Sequence, residues 1–291
     1  MKYGFVILHY MAYGMTRQCV DLILSNFSGN NIFIVIVDNF SPNGSGKKLE
    51  NDYGNNEIVK VILNKENIGF AKGNNIGYSY LRDNYDCDFI VVMNNDVLIE
   101  DDKFLTNIEE IYSKTAFDVL GPDIINPKSK NHQSPVRLIG YTDAQVRNEI
   151  KKWKKYLRFI KLYYVRHYIF GRVKKIIPKK VVNTIDYTVE YINPVLQGAC
   201  YIFSSSFIKL RECAFNPATF LYFEEEILQL ECRNTGLKMI YSPQIFVYHL
   251  EDVATNTMFK SNYSKDKMKI TEMMKSMEVF LSIYNQYRKE K

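Results

Sequence analysis

The chain has 291 residues, 46% of them hydrophobic and 24% charged, with 22 Tyr and 18 Phe; this is a globular composition and excludes a mainly disordered protein. Five cysteines, scattered and without a CxxC pair, exclude a disulfide framework and a zinc cluster and predict a reducing, cytoplasmic setting. The net charge of +6 is concentrated: residues 151–180 hold twelve Lys or Arg and no Asp or Glu, so the remainder sums to about −6 and the anionic partner is expected to be local.

Taken in chain order, the first hundred residues alternate two kinds of segment. "YGFVILH" (3–9), "IFIVIVD" (32–38), "IVKVIL" (58–63) and "DFIVVM" (88–93) are short, β-branched and nearly all apolar, as strands covered on both faces should be. Between them, 16–27 and 70–84 mix apolar and polar residues at helical spacing. That βαβα pattern predicts a three-layer, mostly parallel α/β sheet. In such sheets ligands sit beyond the carboxyl ends of the strands, and the ends here are His9-Tyr10, Asp38-Asn39, Asn64 and Asn94-Asn95-Asp96. The first ten residues contain no long apolar region or cleavage site, and no run of about 18 apolar residues occurs, so neither a signal peptide nor a spanning helix is expected.

The stretch "GPDIINPKSKNHQSP" (121–135) reads as an exposed loop. Residues 151–180 then place Trp153, Leu157, Ile160, Tyr164 and Tyr168 at three- and four-residue steps, with Lys154, Lys155, Arg158 and Lys161 off that stripe. A basic amphipathic helix with aromatics predicts contact with an anionic membrane surface; a helix packing its stripe on the core is the plainer reading. "VLQGACYIFSSSFIKL" reads as a strand entering a helix, "FLYFEEEILQLECRNTGLK" as a loop and acidic helix, and "MIYSPQIFVYHLED" as a closing strand pair. A Met- and Tyr-rich helical tail follows (264–289), to be packed against the body or a partner.

"LNKENIGFAKGNNIG" (63–77) opens a helix with Gly69, Gly73 and Gly77 four apart, on one face, where backbone or ligand can approach closely. It is neither GxGxxG nor GxxxxGK[ST], so dinucleotide and P-loop readings are weak. As a set, "VIVDNFSPNGS" (35–45), "NKENIGFAKGNNIG" (64–77), "VVMNNDV" (91–97), "QGACYIF" (197–203), "YFEEEILQLECRNTGLKMIYSP" (222–243) and "VYHLED" (247–252) resemble family 2 glycosyltransferases. Within that family the chain looks most like the bacterial branch of rhamnosyltransferases and surface-polysaccharide builders. The resemblance covers about 1–115 and 190–250.

That resemblance implies a GT-A fold, a UDP- or dTDP-sugar donor, Mg²⁺ or Mn²⁺, and displacement with inversion at the anomeric carbon. It implies that Asp38 meets the nucleobase beside His9 and Tyr10, that Asn67, Gly69, Gly73, Asn74 and Asn95 border the donor, and that Asp96 and His249 hold the metal. The first position of the family's metal motif is here Asn94, a weaker ligand than Asp. Glu225 is expected to be the base, with Glu224 orienting and Glu226 third, and Gln197, Gly198 and Ala199 to receive the acceptor.

The reading that follows is an inverting glycosyltransferase acting on a lipid-linked glycan, peripheral at the inner face of the plasma membrane. Its halves are 1–115 for the donor and 116–250 for the acceptor, with 251–291 as a helical tail that could serve an oligomer. No nucleic-acid partner is expected: an RNA-binding module using the basic helix leaves Asp38, Asp96 and the Glu cluster without a role. A nucleotidyltransferase, or a protein that binds a nucleotide sugar without transferring it, is the nearer alternative.

Overall fold

The computed structural model describes residues 1–170, 185–250 and 262–289, and for 162–170 and 262 the backbone alone. Four strands, β1 (Lys2–His9), β2 (Asn31–Asp38), β3 (Val59–Leu63) and β4 (Phe89–Asn94), run parallel in the order β3-β2-β1-β4. Their continuous apolar runs follow from burial on both faces: Phe5, Val6 and Ile7 are all inaccessible to solvent. Helices α1 (Tyr13–Asn26), α2 (Ser45–Tyr53) and α4 (Phe104–Thr115) cover one face through Cys19, Val20, Leu49 and Ile108. The other face is covered by α3 (Phe70–Asn84) with Ala71, Tyr78 and Leu81, and by α6 (Ser205–Leu210) and α7 (Glu224–Thr235). The three-layer α/β expectation is therefore met.

The sheet continues beyond β4 through β8 (Cys200–Ser204), which runs antiparallel to β4 and to β6 (Val119–Ile125), then β9 (Met239–His249) parallel to β6. Two-residue strands β5 (Val97–Leu98) and β7 (Tyr191–Ile192) both pair with β9 and complete nine strands. Two sequence readings change here. "GPDII" belongs to the buried strand β6 and not to an exposed loop. Residues 239–249 form one strand and not a pair: its register with β6 shifts between Pro122 and Asp123, where proline has no N–H to donate to a ladder.

Helix α5 (Asp143–Phe170) opens on a capping box: Thr142 Oγ1 accepts from the Gln145 N–H at 3.3 Å, and Gln145 Oε1 accepts from the Thr142 N–H at 2.8 Å. Val146, Ile150 and Trp153 of α5 join Ile227 and Leu230 of α7 and Met277, Phe280 and Leu281 of α8 (Asn262–Lys289) in a third, smaller core. The tail is thus docked on the body. The stripe of α5 is turned inward as far as it is described, with Ile160 only 2% exposed, while Lys151, Lys152, Lys154, Lys155, Arg158, Phe159 and Lys161 face out. The side chains of Tyr164 and Tyr168, and all of 171–180, lie outside the described residues. No helix among those described is long and apolar enough to cross a membrane.

Candidate active site

The strand order reverses between β1 and β4, so their carboxyl ends border the crevice in which such sheets bind ligands. His9 lies under its floor, fully buried. Its Nδ1 is 2.6 Å from Thr16 Oγ1 on α1 and its Nε2 is 2.8 Å from Ser45 Oγ on α2, with the Asp38 carboxylate 3.9 Å away. Burial pushes the imidazole down to about 4 against the pull of Asp38, so His9 is neutral at neutral pH. It pins the starts of two helices. Asp38 is 6% exposed, accepts the Ser41 N–H at 3.2 Å, and leaves room for α2 only because Gly46 has no Cβ, which would fall 2.2 Å from Oδ2. Tyr10 is half-buried beside them.

Asn39, which the sequence reading placed only at a strand end, is the hub of the next loop. Its Nδ2 donates to Asn67 Oδ1 and to the Gly69 carbonyl, both at 3.0 Å, while its Oδ1 accepts from Asn64 Nδ2 and the Ile68 N–H. Asn67 Oδ1 also accepts the Gly69 N–H. Gly69 has φ +86°, and a Cβ there would meet the Phe220 carbonyl oxygen at 2.2 Å; the neighbouring Phe70 N–H donates to that same oxygen at 2.7 Å. Gly73 answers to packing, since its Cβ would fall 2.6 Å from Leu8 Cδ1 on β1. Asn74 is 1% exposed; its Nδ2 donates to the Phe70 carbonyl and its Oδ1 has no partner among the described residues.

At the end of β4 the Asn94 N–H donates to the Ala199 carbonyl at 2.9 Å, and Asn95 Nδ2 donates to Thr16 Oγ1 at 2.9 Å, the hydroxyl that also holds His9. Asp96, 7% exposed, faces His249 Nε2 at 3.3 Å. His249 Nδ1 lies 2.7 Å from Gln133 Oε1; an amide oxygen only accepts, so in the neutral ring Nε2 turns its lone pair toward the Asp96 carboxylate. Two acceptors facing each other suit a shared cation. Among the described residues no third His, Cys, Asp or Glu joins them, and hard cations at diphosphate sites take one or two protein ligands with the rest from substrate oxygens. The donor set fits such an ion.

The facing wall is built from loops. Gln197 donates its N–H to Ser134 Oγ and accepts the Ala199 N–H on its own side-chain oxygen. Gly198 has open space where a Cβ would point, whereas Ala199 is fully buried and sits in the sheet core. Tyr222 and Phe223, at φ 68° and 73°, turn the chain into α7 in a conformation that costs non-glycine residues about 1–3 kcal/mol each. Phe223 is held there between the Tyr141 ring, stacked at 5.6 Å, and Phe280 of α8.

The three glutamates then have three different surroundings. Glu224 is 6% exposed, its Oε1 has no partner among the described residues, and burial together with neighbouring Glu225 pushes its carboxyl up to about 8. Glu225 is the most accessible of the three; burial raises it and the Arg137 charge opposes that rise. Glu226 is 2% exposed, ion-paired with Arg137, and accepts the Tyr141 N–H on Oε2. Arg137, Gln133 and Thr16 carry no spacing signal and are not visible as site residues in the sequence, and Asn39 is visible there only as a strand end.

A sheet of this topology with a crevice lined this way is a GT-A fold, the fold of nucleotide-sugar glycosyltransferases. Residues 5–174 match the model of glycosyl transferase family 2, more than half of the chain, and the protein belongs to that family. The match takes in α5 and stops short of the Gln197 loop and the glutamates. No curated protein sequence matches the chain. Among solved structures it is similar to Staphylococcus aureus TarS 1–349 in complex with UDP, at TM-score 0.53 and 12% identity, covering 85% of this chain and 60% of that one. It is also similar to GalNAc-T7 with UDP, GalNAc and Mn²⁺, at TM-score 0.57 and 16% identity, covering 86% of this chain and 44% of that one. The chain therefore spans about half the length of these two relatives, and likeness at such identity concerns the fold.

Proposed function

We propose that the protein is an inverting glycosyltransferase that moves a sugar from a UDP- or dTDP-sugar to a lipid-linked glycan in bacterial surface-polysaccharide synthesis, as rhamnosyltransferase-like members of the family do. The observation that carries it is the Asp96–His249 pair, oriented by Gln133 and set at the crevice where β1 and β4 diverge. Asp96 and His249 would hold Mg²⁺ or Mn²⁺, which when bound neutralises charge on the departing nucleoside diphosphate. Asp38, Tyr10 and the Asn39–Asn67 loop shape the nucleotide side; Gly198 leaves space for the acceptor sugar.

Glu225 takes the proton from the acceptor hydroxyl as it attacks the anomeric carbon. Glu224, holding its own proton near neutral pH, serves as a hydrogen-bond donor, and Glu226 is committed to Arg137. Attachment to an anionic membrane surface rests on the outward cations of α5, since its described apolar stripe is used internally; each contributes roughly 1 kcal/mol at such a surface. The relatives' bound UDP supports the donor class.

Thermal melting with UDP- and dTDP-sugars, each with Mn²⁺ and with EDTA, tests the reading, because a ligand bound only by the native state raises the melting temperature. We expect a metal-dependent rise with one donor that Asp96→Ala removes. A rise that persists unchanged in Asp96→Ala, or none with any donor, would overturn it.

A further inference from the structure

Arg137 lies in the stretch between β6 and α5, outside every motif that pointed to a site. Its backbone is locked to the acceptor loop: its carbonyl accepts from the Val195 N–H at 2.8 Å, and its N–H reaches the Val195 carbonyl, two residues before Gln197. Its side chain goes the other way. The guanidinium lies 3.5 Å over the Tyr141 ring, which stacks on Phe223, and it pairs with the buried Glu226. One residue therefore joins the loop beneath the acceptor, the aromatic stack that holds Phe223, and the first turn of α7.

We propose that Arg137 is a positioning residue for Glu225: by clamping Glu226 while stacked on Tyr141 it fixes the first turn of α7 and brings a guanidinium charge to that turn. The groups facing Glu225 explain the need. Glu224 on the same turn and the Tyr201 phenol on β8 both keep their protons at neutral pH, so it is burial that disfavours a charge on Glu225; a backbone hydrogen bond at the helix start and the field of Arg137 oppose it. Guanidinium suits the task better than an ammonium, because a flat fork can stack on Tyr141 and hold a carboxylate at once.

The proposal rests on Glu225 being the base, and its test is arranged so that the two can fail separately. Carboxyl-¹³C glutamate NMR, with the Glu225 resonance assigned through Glu225→Gln, reads the titration of Glu225 without any substrate. In Arg137→Gln, which keeps an N–H donor toward Glu226 but removes the charge, the midpoint should rise. In Arg137→Lys it should stay near that of the unaltered protein while the melting temperature falls with the loss of stacking. An unmoved midpoint in Arg137→Gln overturns the proposal, and so does a rise in Arg137→Lys, which is informative even if the glutamine variant does not fold. Full turnover in Glu225→Gln, followed as UDP or dTDP release from the donor found by melting, would instead overturn the assignment of Glu225.

Discussion

The two sides of the crevice are made by different means. The donor side is delivered by strand ends: His9, Asp38 and Asn94 to Asp96 each stand where a parallel strand stops, and their polar atoms mostly satisfy one another through Thr16, Ser45 and Asn39. The acceptor side is delivered by loops that cross in front of the antiparallel strand β8, with two residues in left-handed conformation and three carboxylates at one helix start. A strand end is a rigid, pre-satisfied mount for binding. A carboxylate at a helix start that is reached through left-handed loop residues is a mount for moving protons, held in place by Phe280 and Arg137.

The sharpest break of that contrast is at Glu225. Glu225→Gln is expected to lower donor turnover by about 10²–10⁴-fold while leaving the melting rise with donor intact, because a positioned base contributes about that much and the amide keeps the shape. Loss of the melting rise together with turnover would mean that the two sides are one binding unit and that the division of labour is wrong.

Legibility followed the same division. The parallel strands and α3 were readable because burial on both faces leaves an unbroken apolar run and helices leave a 3.6 period, and each strand then ends at a polar residue. Their strand-end residues came with them. Helix α2 leaves little trace because "SGKKLENDY" buries few side chains, and β6 looks like a loop because Gly121 and Pro122 resemble turn residues although both are buried there. Arg137 and Gln133 could not be seen at all: their partners, Glu226 and His249, are 89 and 116 positions away, and only the fold brings them together.

A smaller effect, of opposite sign on the two sides, comes from acid and base. His9 has its folded value near 4 against an ordinary 6.5, so between those limits the unfolded chain binds a proton that the folded one refuses, and stability falls as pH drops. The full window is about 3 kcal/mol. Glu224 works the other way: between 4.5 and about 8 the folded chain keeps a proton that the unfolded chain has released, and stability falls as pH rises. Melting curves from pH 4.5 to 8.5 should therefore show His9→Gln flattening the acid limb and Glu224→Gln the alkaline one. The same limb flattened by both variants would contradict this pairing of sides and signs.

The least change that bears on both sides is Gly69→Ala. The donor loop ends at this residue and the acceptor loop rests on it, through the Phe220 carbonyl that a Cβ would strike at 2.2 Å. Its backbone, at φ +86° and ψ −176°, is a region used almost only by glycine, so alanine should cost about 1–3 kcal/mol in strain before the Phe220 loop moves. The collision is with backbone, which cannot rotate away, so residues 216–223 must shift and carry the start of α7 with them. Gly73→Ala is the control, because its Cβ would collide with the end of the Leu8 side chain, which can turn, and would reach Asn39 Nδ2 only at an ordinary contact distance of 3.5 Å. Donor-induced melting rise and turnover should both decline in Gly69→Ala, whereas Gly73→Ala should lose stability without separating turnover from donor binding. If Gly69→Ala instead melts with the unaltered protein and turns over donor at the same rate, the donor and acceptor sides are not joined at this contact, and the coupling has to run through the Asn94–Ala199 bond between β4 and the Gln197 loop.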